Sequence, residues 1–191
     1  MKRYFGRKVI TAIFISGRGS NMRNLIDFSI TKKSPININL VFSNNKNAGG
    51  LKYAKEKKIN TICLDNKKFQ ILENKLLKIL KEKKIKLICL AGFMKILSSN
   101  FIKKYDGKIL NIHPSLLPKY KGLNTHQRVM DNKEKYTGCT VHYVNSRLDS
   151  GKIIIQKKIK IQKNDTAVKI AKKVLMEEHK IYPKAILKIF S

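Results

Sequence analysis

Acidic residues are scarce in this chain. Its 191 residues include 12 Asp and Glu against 42 Lys and Arg, which gives a formal net charge of +30. Such a charge invites a nucleic-acid-binding interpretation. However, Lys outnumbers Arg by 36 to 6, and the lysines are spread along the whole chain. Arg is the residue that binds phosphate and guanine bidentately, and Lys, Ile and Asn share A/T-rich codons. We therefore expect no nucleic-acid partner, but an attraction for small anionic molecules.

Cysteine is also rare. Cys63, Cys89 and Cys139 are widely spaced, each lies in an apolar run, and no Cys-x-x-Cys or Cys/His cluster occurs. This usage predicts three reduced thiols in the core and a reducing compartment. No two histidines are spaced i, i+4, so the sequence supports no metal site.

Long apolar runs are absent, and Gly (10) and Pro (4) are few beside 42% hydrophobic residues. We expect an ordered chain forming a single domain over 1–191, with 1–8 as a flexible basic extension. The opening MKRYFGRKVITAIFIS resembles a signal peptide, but its apolar run is short and no cleavage pattern follows. No stretch could span a bilayer. The cytoplasm is therefore expected.

Short apolar runs alternate with longer amphipathic ones. The predicted strands are Lys8–Ser16, Ile38–Ser43, Thr61–Leu64, Lys86–Ala91, Lys108–Ile112, Gly138–Val144 and Lys152–Ile161. The predicted helices are Ser20–Lys33, Ala48–Lys58, Phe69–Lys83, Ser98–Lys104 and Asp165–Phe190, the last one broken or started afresh near Pro183. This alternation predicts an α/β, Rossmann-like fold with a mostly parallel central sheet and helices on both faces. Ligands should then bind after Ile15, Leu90 and Ile112, where strands end.

The first of these loops is SGRGSN, residues 16–21. Its glycines allow close backbone approach, and the helix start at Ser20 or Asn21 offers free N–H groups, so a phosphate is a natural ligand. Met22 stands where a dinucleotide-binding loop needs a third glycine, and no Lys-Ser/Thr follows. A plain glycine turn is an equally good interpretation of this stretch.

The other two loops hold side chains suited to a reaction centre. Residues 93–97 are largely apolar and could line a pocket for a ring system or pack into the core. Asn111 and His113 project to one face of their strand end, where an amide and an imidazole could serve acyl transfer. A histidine that only caps a turn is equally consistent. Asp149 could orient His113, although Asp-x-Gly also favours simple turns.

Several motifs occur in the order of one family: ISGRGSN, VFSN, LAGFMKILS, NIHPSLLPKYKGLNTH and EEHKIYP. In these the chain resembles the folate-dependent formyltransferases, and within them the glycinamide ribonucleotide transformylases, from about Val9 to Phe190. The resemblance implies transfer of the formyl group of 10-formyltetrahydrofolate to the amine of 5'-phosphoribosylglycinamide, in de novo purine synthesis. It implies small-molecule partners, no metal, no membrane, and a monomer or homodimer.

The resemblance also assigns site residues. The catalytic residues would be Asn111, His113 and Asp149. The ribonucleotide would be bound by Gly19, Ser20, Asn21 and Glu178. The folate would be bound by Met94, Lys95, Ile96, Leu97, Asn111, Asn145, Leu148 and Asp149.

Two positions depart from the family pattern. The stretch Phe69–Glu73 lacks the arginine that familiar members use for folate, and Asn124 replaces a histidine. Two alternatives remain. One is another folate-dependent formyltransferase, such as one acting on methionyl-tRNA, which normally has a second, RNA-binding domain. The other is a non-enzymatic, basic nucleic-acid-binding protein.

Overall fold

The structure is a computed structural model that describes residues 6–64 and 69–190, the side chains of residues 69–71 excepted. Most of the predicted basic extension, residues 1–5, lies outside that description. The strands are Val9–Ile15 (β1), Ile36–Ser43 (β2), Asn60–Cys63 (β3), Leu87–Leu90 (β4), Lys108–His113 (β5), Tyr136–Tyr143 (β6) and Ile153–Lys160 (β7). The helices are Ser20–Ser29 (α1), Gly49–Glu56 (α2), Phe69–Glu82 (α3), Ser99–Lys104 (α4), Thr125–Asp131 (α5) and Ala167–Phe190 (α6).

The strands form a seven-stranded sheet in the order β3-β2-β1-β4-β5-β6-β7. β1 pairs in parallel with both β2 and β4, and β2 pairs in parallel with β3, whereas β6 and β7 are antiparallel. The predicted α/β fold with a mostly parallel sheet is thus confirmed. By its internal contacts the chain forms two compact units, residues up to Leu110 with Phe190, and Asn111–Ile189.

The first unit is built around β1 and β4. Residues 11–15 and all four residues of β4 are buried, as expected of central strands covered on both faces. In the sheet, β2 lies on one side of β1 and β4 lies on the other side. The loops after β1 and β4 therefore follow neighbouring strand ends, the usual position of ligands in such sheets.

Helix α1 ends four residues earlier than predicted, at Ser29 rather than Lys33. The hydroxyl of Ser29 donates to the Ile26 carbonyl, and that of Thr31 donates to the Phe28 carbonyl. Side chains of this type compete with the continuing helix for its last carbonyls. The predicted start of α1 at Ser20 is confirmed, and the residue that caps it is Gly19.

The second unit contains the long helix α6, and the predicted break at Pro183 is wrong. The helix runs unbroken over 24 residues with Pro183 inside it. Proline removes one backbone donor from a helix, but Ile181, Tyr182, Ala185 and Ile186 are all buried on either side of it. The burial of this apolar stripe stabilises both halves of the helix around the missing bond.

None of the three cysteines forms a disulfide bond, and they differ in exposure. Cys89 and Cys139 are buried as predicted, whereas Cys63, the last residue of the short strand β3, is exposed. Burial raises the pKa of the Cys139 thiol to about 12, and the charge of Glu178 adds to this. Cys139 is therefore an unreactive core thiol.

The pairing of β6 with β7 gives a stability prediction at Gly138. A Cβ atom at this position would lie 2.0 Å from the Lys157 carbonyl oxygen and 2.7 Å from Leu116 Cδ2. We expect Gly138→Ala to lower the free energy of unfolding by about 1–3 kcal/mol or more, since the partner strand must shift. Gly49→Ala, whose Cβ would meet only Arg18 Cα at 4.0 Å, is the control. Equal denaturation midpoints for the two variants would contradict the prediction.

Candidate active site

The loops after β1 and β4 are joined by Ser16. Its hydroxyl donates to Asn44 Oδ1 at 2.5 Å and accepts from the Met94 backbone N–H at 2.8 Å. Its own N–H donates to the Gly92 carbonyl at 3.1 Å, and its carbonyl accepts from Asn45 Nδ2 at 3.0 Å. One residue of the glycine loop thus holds the start of the second loop, a role that the sequence pattern did not indicate.

The glycine loop ends in a left-handed residue, Gly19, with φ of 73°. A side chain there would be strained, and a Cβ would also lie 3.1 Å from Met22 Cε and 3.3 Å from Gly50 Cα. Ser20 and Asn21 follow as the first residues of α1. Their backbone N–H groups belong to the first turn, which lacks intrahelical acceptors and carries a partial positive charge. The geometry of this loop suits an anion.

The loop after β4 divides its side chains between core and solvent. Leu97 is 4% exposed and packs in the core, Lys95 is half-buried, and Met94 and Ile96 are 65% and 70% exposed. Phe93 packs against the rings of Phe14 and Phe42, which fixes the base of the loop. The core alternative considered for this stretch therefore holds for Leu97, while Met94 and Ile96 form an apolar surface.

The far end of the same loop is held by a buried carboxylate. Glu73 of α3, 3% exposed, accepts from the Ser98 N–H at 2.8 Å and from the Ser98 hydroxyl. Ser98 also caps α4 by accepting from the Phe101 N–H. Glu73 lies in the segment that lacks the family's arginine, and its role was not anticipated from the sequence.

In the second unit the structure brings together Asn111, His113 and Asp149. Asp149 Oδ2 lies 3.4 Å from His113 Nδ1 and accepts from the Gly122 N–H at 2.9 Å. Asp149 Oδ1 lies 3.4 Å from Asn111 Nδ2. The side chains of His113 and Asp149 are each only 7% exposed. An amide donor and an imidazole therefore share one buried carboxylate, although 36 residues of sequence separate His113 from Asp149.

Asp149 is held in place by its backbone as well as its partners. It adopts the left-handed conformation with φ of 45°, which Asp tolerates better than most residues. Burial raises the pKa of its carboxyl, but nearby His142, the Gly122 amide and His113 together outweigh that effect, so the pKa lies below the ordinary value. Asp149 is thus charged at neutral pH.

His113 faces an acceptor with each ring nitrogen. Nε2 lies 2.8 Å from the Tyr120 carbonyl oxygen and Nδ1 faces Asp149. Burial lowers the pKa of His113 below that of an ordinary histidine, and the Tyr120 carbonyl and the charge of Asp149 offset this only in part. The resting ring is therefore neutral at neutral pH, with partners that stabilise it when it takes up a proton.

His142 also belongs to this cluster, although its position in the sequence did not indicate a role. It lies on β6, is 2% exposed, and places Nε2 at 3.2 Å from Asn111 Nδ2 and 3.6 Å from Asp149 Oδ1. Its position as an apolar-flanked residue in a strand was the available signal, and this signal does not distinguish a core histidine from a site histidine.

The remaining predicted site residues of this unit lie in two places. Asn145 and Leu148 are exposed in the loop that leads to Asp149, and Asn145 Oδ1 accepts from the Arg147 N–H. Glu178 is buried on α6, near Cys139.

Among the residues described, no group of three or more His, Cys, Asp or Glu could hold a metal ion. No helix in the same residues is long and apolar enough to cross a membrane.

A buried carboxylate that serves both an amide and an imidazole at a strand end of a mostly parallel α/β sheet is an arrangement suited to acyl transfer. A sequence profile described as "Formyl transferase" matches residues 9–186. The chain belongs to the formyl transferase family.

Individual relatives are similar over nearly the whole chain. The phosphoribosylglycinamide formyltransferase of Escherichia coli (strain K12) is 39% identical over 177 residues, which are 91% of this chain and 84% of that protein. The crystal structure of phosphoribosylglycinamide formyltransferase from Brucella melitensis has a TM-score of 0.90 at 42% identity and covers 96% of both chains. The human trifunctional purine biosynthetic protein adenosine-3 is 39% identical over 94% of this chain, but the chain spans only 18% of its length.

The electrostatics of the cluster give a prediction for Asp149→Asn. We expect the substitution to lower the pKa of His113 further, because the carboxylate charge favours the imidazolium form. Titration of His113 by proton–nitrogen NMR would measure this. The control is Asp131→Asn, because the Asp131 carboxylate is exposed and accepts a hydrogen bond from the Gln127 side chain. A His113 pKa that stays unchanged or rises in Asp149→Asn would contradict the assignment.

Proposed function

We propose that this protein is a phosphoribosylglycinamide formyltransferase. It transfers the formyl group of 10-formyltetrahydrofolate to the glycinamide amine of 5'-phosphoribosylglycinamide in purine biosynthesis. The observation that carries the proposal is the shared carboxylate of Asp149, which lies 3.4 Å from both Asn111 Nδ2 and His113 Nδ1. The names of the relatives that match most of the chain support the choice of substrate.

The first chemical step is attack of the amine on the formyl carbon. A carbon–nitrogen bond forms, the carbonyl π pair moves to oxygen, and a tetrahedral oxyanion results. An N–H of the Asn111 amide is suited to stabilise that oxygen, and His113 assists once it has taken up the proton of the attached amine. Donors fixed before the reaction stabilise such charge most effectively, because they need not reorganise as it develops.

The second step moves a proton and breaks the bond to folate. The attached amine loses a proton, the leaving folate nitrogen gains one, and His113 carries it directly or through water. Nε2 already holds a proton, because the Tyr120 carbonyl can only accept, so a neutral ring takes the second one at Nδ1. There the Asp149 carboxylate stabilises the imidazolium, and His113 ends the cycle in its starting state.

Substrate binding is assigned to the remaining residues. Gly19, Ser20 and Asn21 bind the phosphate through the glycine loop and the start of α1, and Glu178 binds the ribose. Folate binds to Met94, Lys95, Ile96 and Leu97, to Asn111, and to Asn145, Leu148 and Asp149. The exposed apolar side chains of Met94, Ile96 and Leu148 support this assignment, since aromatic ligands bind on apolar surfaces with few polar groups.

The same proposal covers the domain organisation, compartment, oligomeric state and metal requirement of the protein. The chain acts as a single formyltransferase domain, in the cytoplasm, on small-molecule substrates, as a monomer or homodimer. No metal takes part, and the formyl donor is a co-substrate. A second candidate acceptor is methionyl-tRNA, which the net charge of +30 favours.

The test is a formyl-transfer assay with 10-formyltetrahydrofolate and either acceptor. We expect turnover with the ribonucleotide alone, and a fall of about 10²–10³ in kcat for His113→Ala, which removes both the oxyanion donor and the proton carrier. Asp131→Asn should keep the original rate. Turnover with methionyl-tRNA alone, or near-normal turnover in His113→Ala, would refute the proposal.

A second prediction follows from the hydroxyl of Ser16. We expect Ser16→Ala to raise KM for the folate about 5-fold at similar kcat, since the lost bond to Met94 N–H contributes roughly 1 kcal/mol to the shape of that loop. Thr31→Ala, which also removes one hydroxyl, is the matched control. An unchanged folate KM in Ser16→Ala would separate this loop from folate binding.

A further inference from the structure

The starting observation is how His142 meets Asn111. His142 lies on β6 and is 2% exposed, so solvent cannot substitute for lost partners. Its Nδ1 lies 2.8 Å from the Tyr143 carbonyl oxygen, and its Nε2 lies 3.2 Å from Asn111 Nδ2. Each ring nitrogen therefore has one close partner, and the two partners are of opposite kinds.

These partners define the tautomer of the ring. A carbonyl oxygen only accepts, so Nδ1 carries the proton. In the neutral ring Nε2 then has a lone pair and accepts from the amide nitrogen of Asn111. The tautomer of a histidine is set by the hydrogen bond that its other nitrogen makes, and here a backbone carbonyl sets it.

The tautomer in turn determines whether the nitrogen or the oxygen of the Asn111 amide faces His142 Nε2 and Asp149 Oδ1. With the amide turned over, its oxygen would face both the Nε2 lone pair and the charged Asp149 Oδ1, and all three groups would be acceptors. In the observed orientation the Asn111 nitrogen donates to both, at 3.2 and 3.4 Å. A protonated His142 would reverse this choice, since Nε2–H would meet the Asn111 nitrogen donor against donor.

We propose that His142 is a positioning residue, whose neutral Nδ1–H tautomer fixes the Asn111 amide with its nitrogen toward Asp149 and so keeps an N–H available for the oxyanion. This inference rests on the proposed function. The bond to His142 fixes one amide hydrogen, while the other meets Asp149 Oδ1 only at 3.4 Å. A long hydrogen bond of this kind is weak, so a developing oxyanion competes well for that hydrogen.

Two substitutions at this position separate the roles of the two ring nitrogens. His142→Gln places a carboxamide oxygen near the position of Nε2 and can still accept from Asn111. His142→Asn is too short for that, but keeps a donor near the position of Nδ1 for the Tyr143 carbonyl. If His142 only supported the strand through Nδ1, the asparagine variant would be the better tolerated one.

We expect the opposite order. His142→Asn should lower kcat about 10-fold or more, part of the loss seen when an oxyanion donor is removed, with little change in either KM. His142→Gln should recover most of the lost rate. Equal kcat values in the two variants, or a loss confined to KM, would overturn the inference.

A double-mutant cycle tests whether His142 acts through Asn111. In an Asn111→Ala background, where no amide remains to be oriented, His142→Asn should change kcat by less than about 2-fold, because the two substitutions remove the same contribution. Additive losses in the double variant would show that His142 acts on the reaction by another route.

A measurement that needs no activity keeps this inference distinct from the proposed function. Long-range proton–nitrogen NMR correlations on the uniformly labelled wild-type protein should show the His142 ring proton on Nδ1 and none on Nε2. A proton on Nε2, or a charged ring, would overturn the inference even in an active enzyme. Wild-type protein that shows the expected tautomer but no formyl transfer would instead refute the proposed function alone.

Discussion

The carboxylate of Asp149 is the constraint on which the second unit depends. A buried charge without partners costs several kcal/mol, and this one is 7% exposed. Its oxygens accept from the Gly122 amide and from Asn111 of β5, and His113 of β5 and His142 of β6 lie beside it. Stabilising this charge therefore requires the same geometry that the chemistry needs.

The same balance explains why His113 is a moderate base rather than a permanent cation. Burial disfavours its charged form, and the carboxylate and the Tyr120 carbonyl favour that form. The two effects oppose each other at the group that must gain and lose a proton in each cycle. A side chain with this task works best when neither protonation state is strongly preferred.

The loop after β4 in the first unit depends instead on hydrogen bonds between the backbone and polar side chains. Ser16 holds the start of the loop after β4, and Glu73 holds its end through Ser98. Between these points Met94 and Ile96 remain exposed. Fixing both ends of a loop lowers the entropy cost of presenting apolar side chains to a ligand.

The excess of lysine has at least one structural use. β7 is the last strand in the sheet order, and its residues Lys157, Lys158 and Lys160 are exposed. Charged side chains on an edge strand discourage pairing with another sheet. In this strand the basic residues therefore serve the fold.

The sequence by itself determined the type and order of the elements other than the short helix α5, because apolar periodicity and turn residues act locally. It also placed Asn111 and His113 at a strand end and indicated the loops after β1 and β4. It failed where long-range packing prevails over local preference, as at Pro183, whose helix is stabilised by buried neighbours, and at Cys63, which ends on the surface. Only the tertiary structure decided that Asp149 and His142 meet Asn111, since such contacts depend on strand register and rotamers that residues distant in the sequence set together.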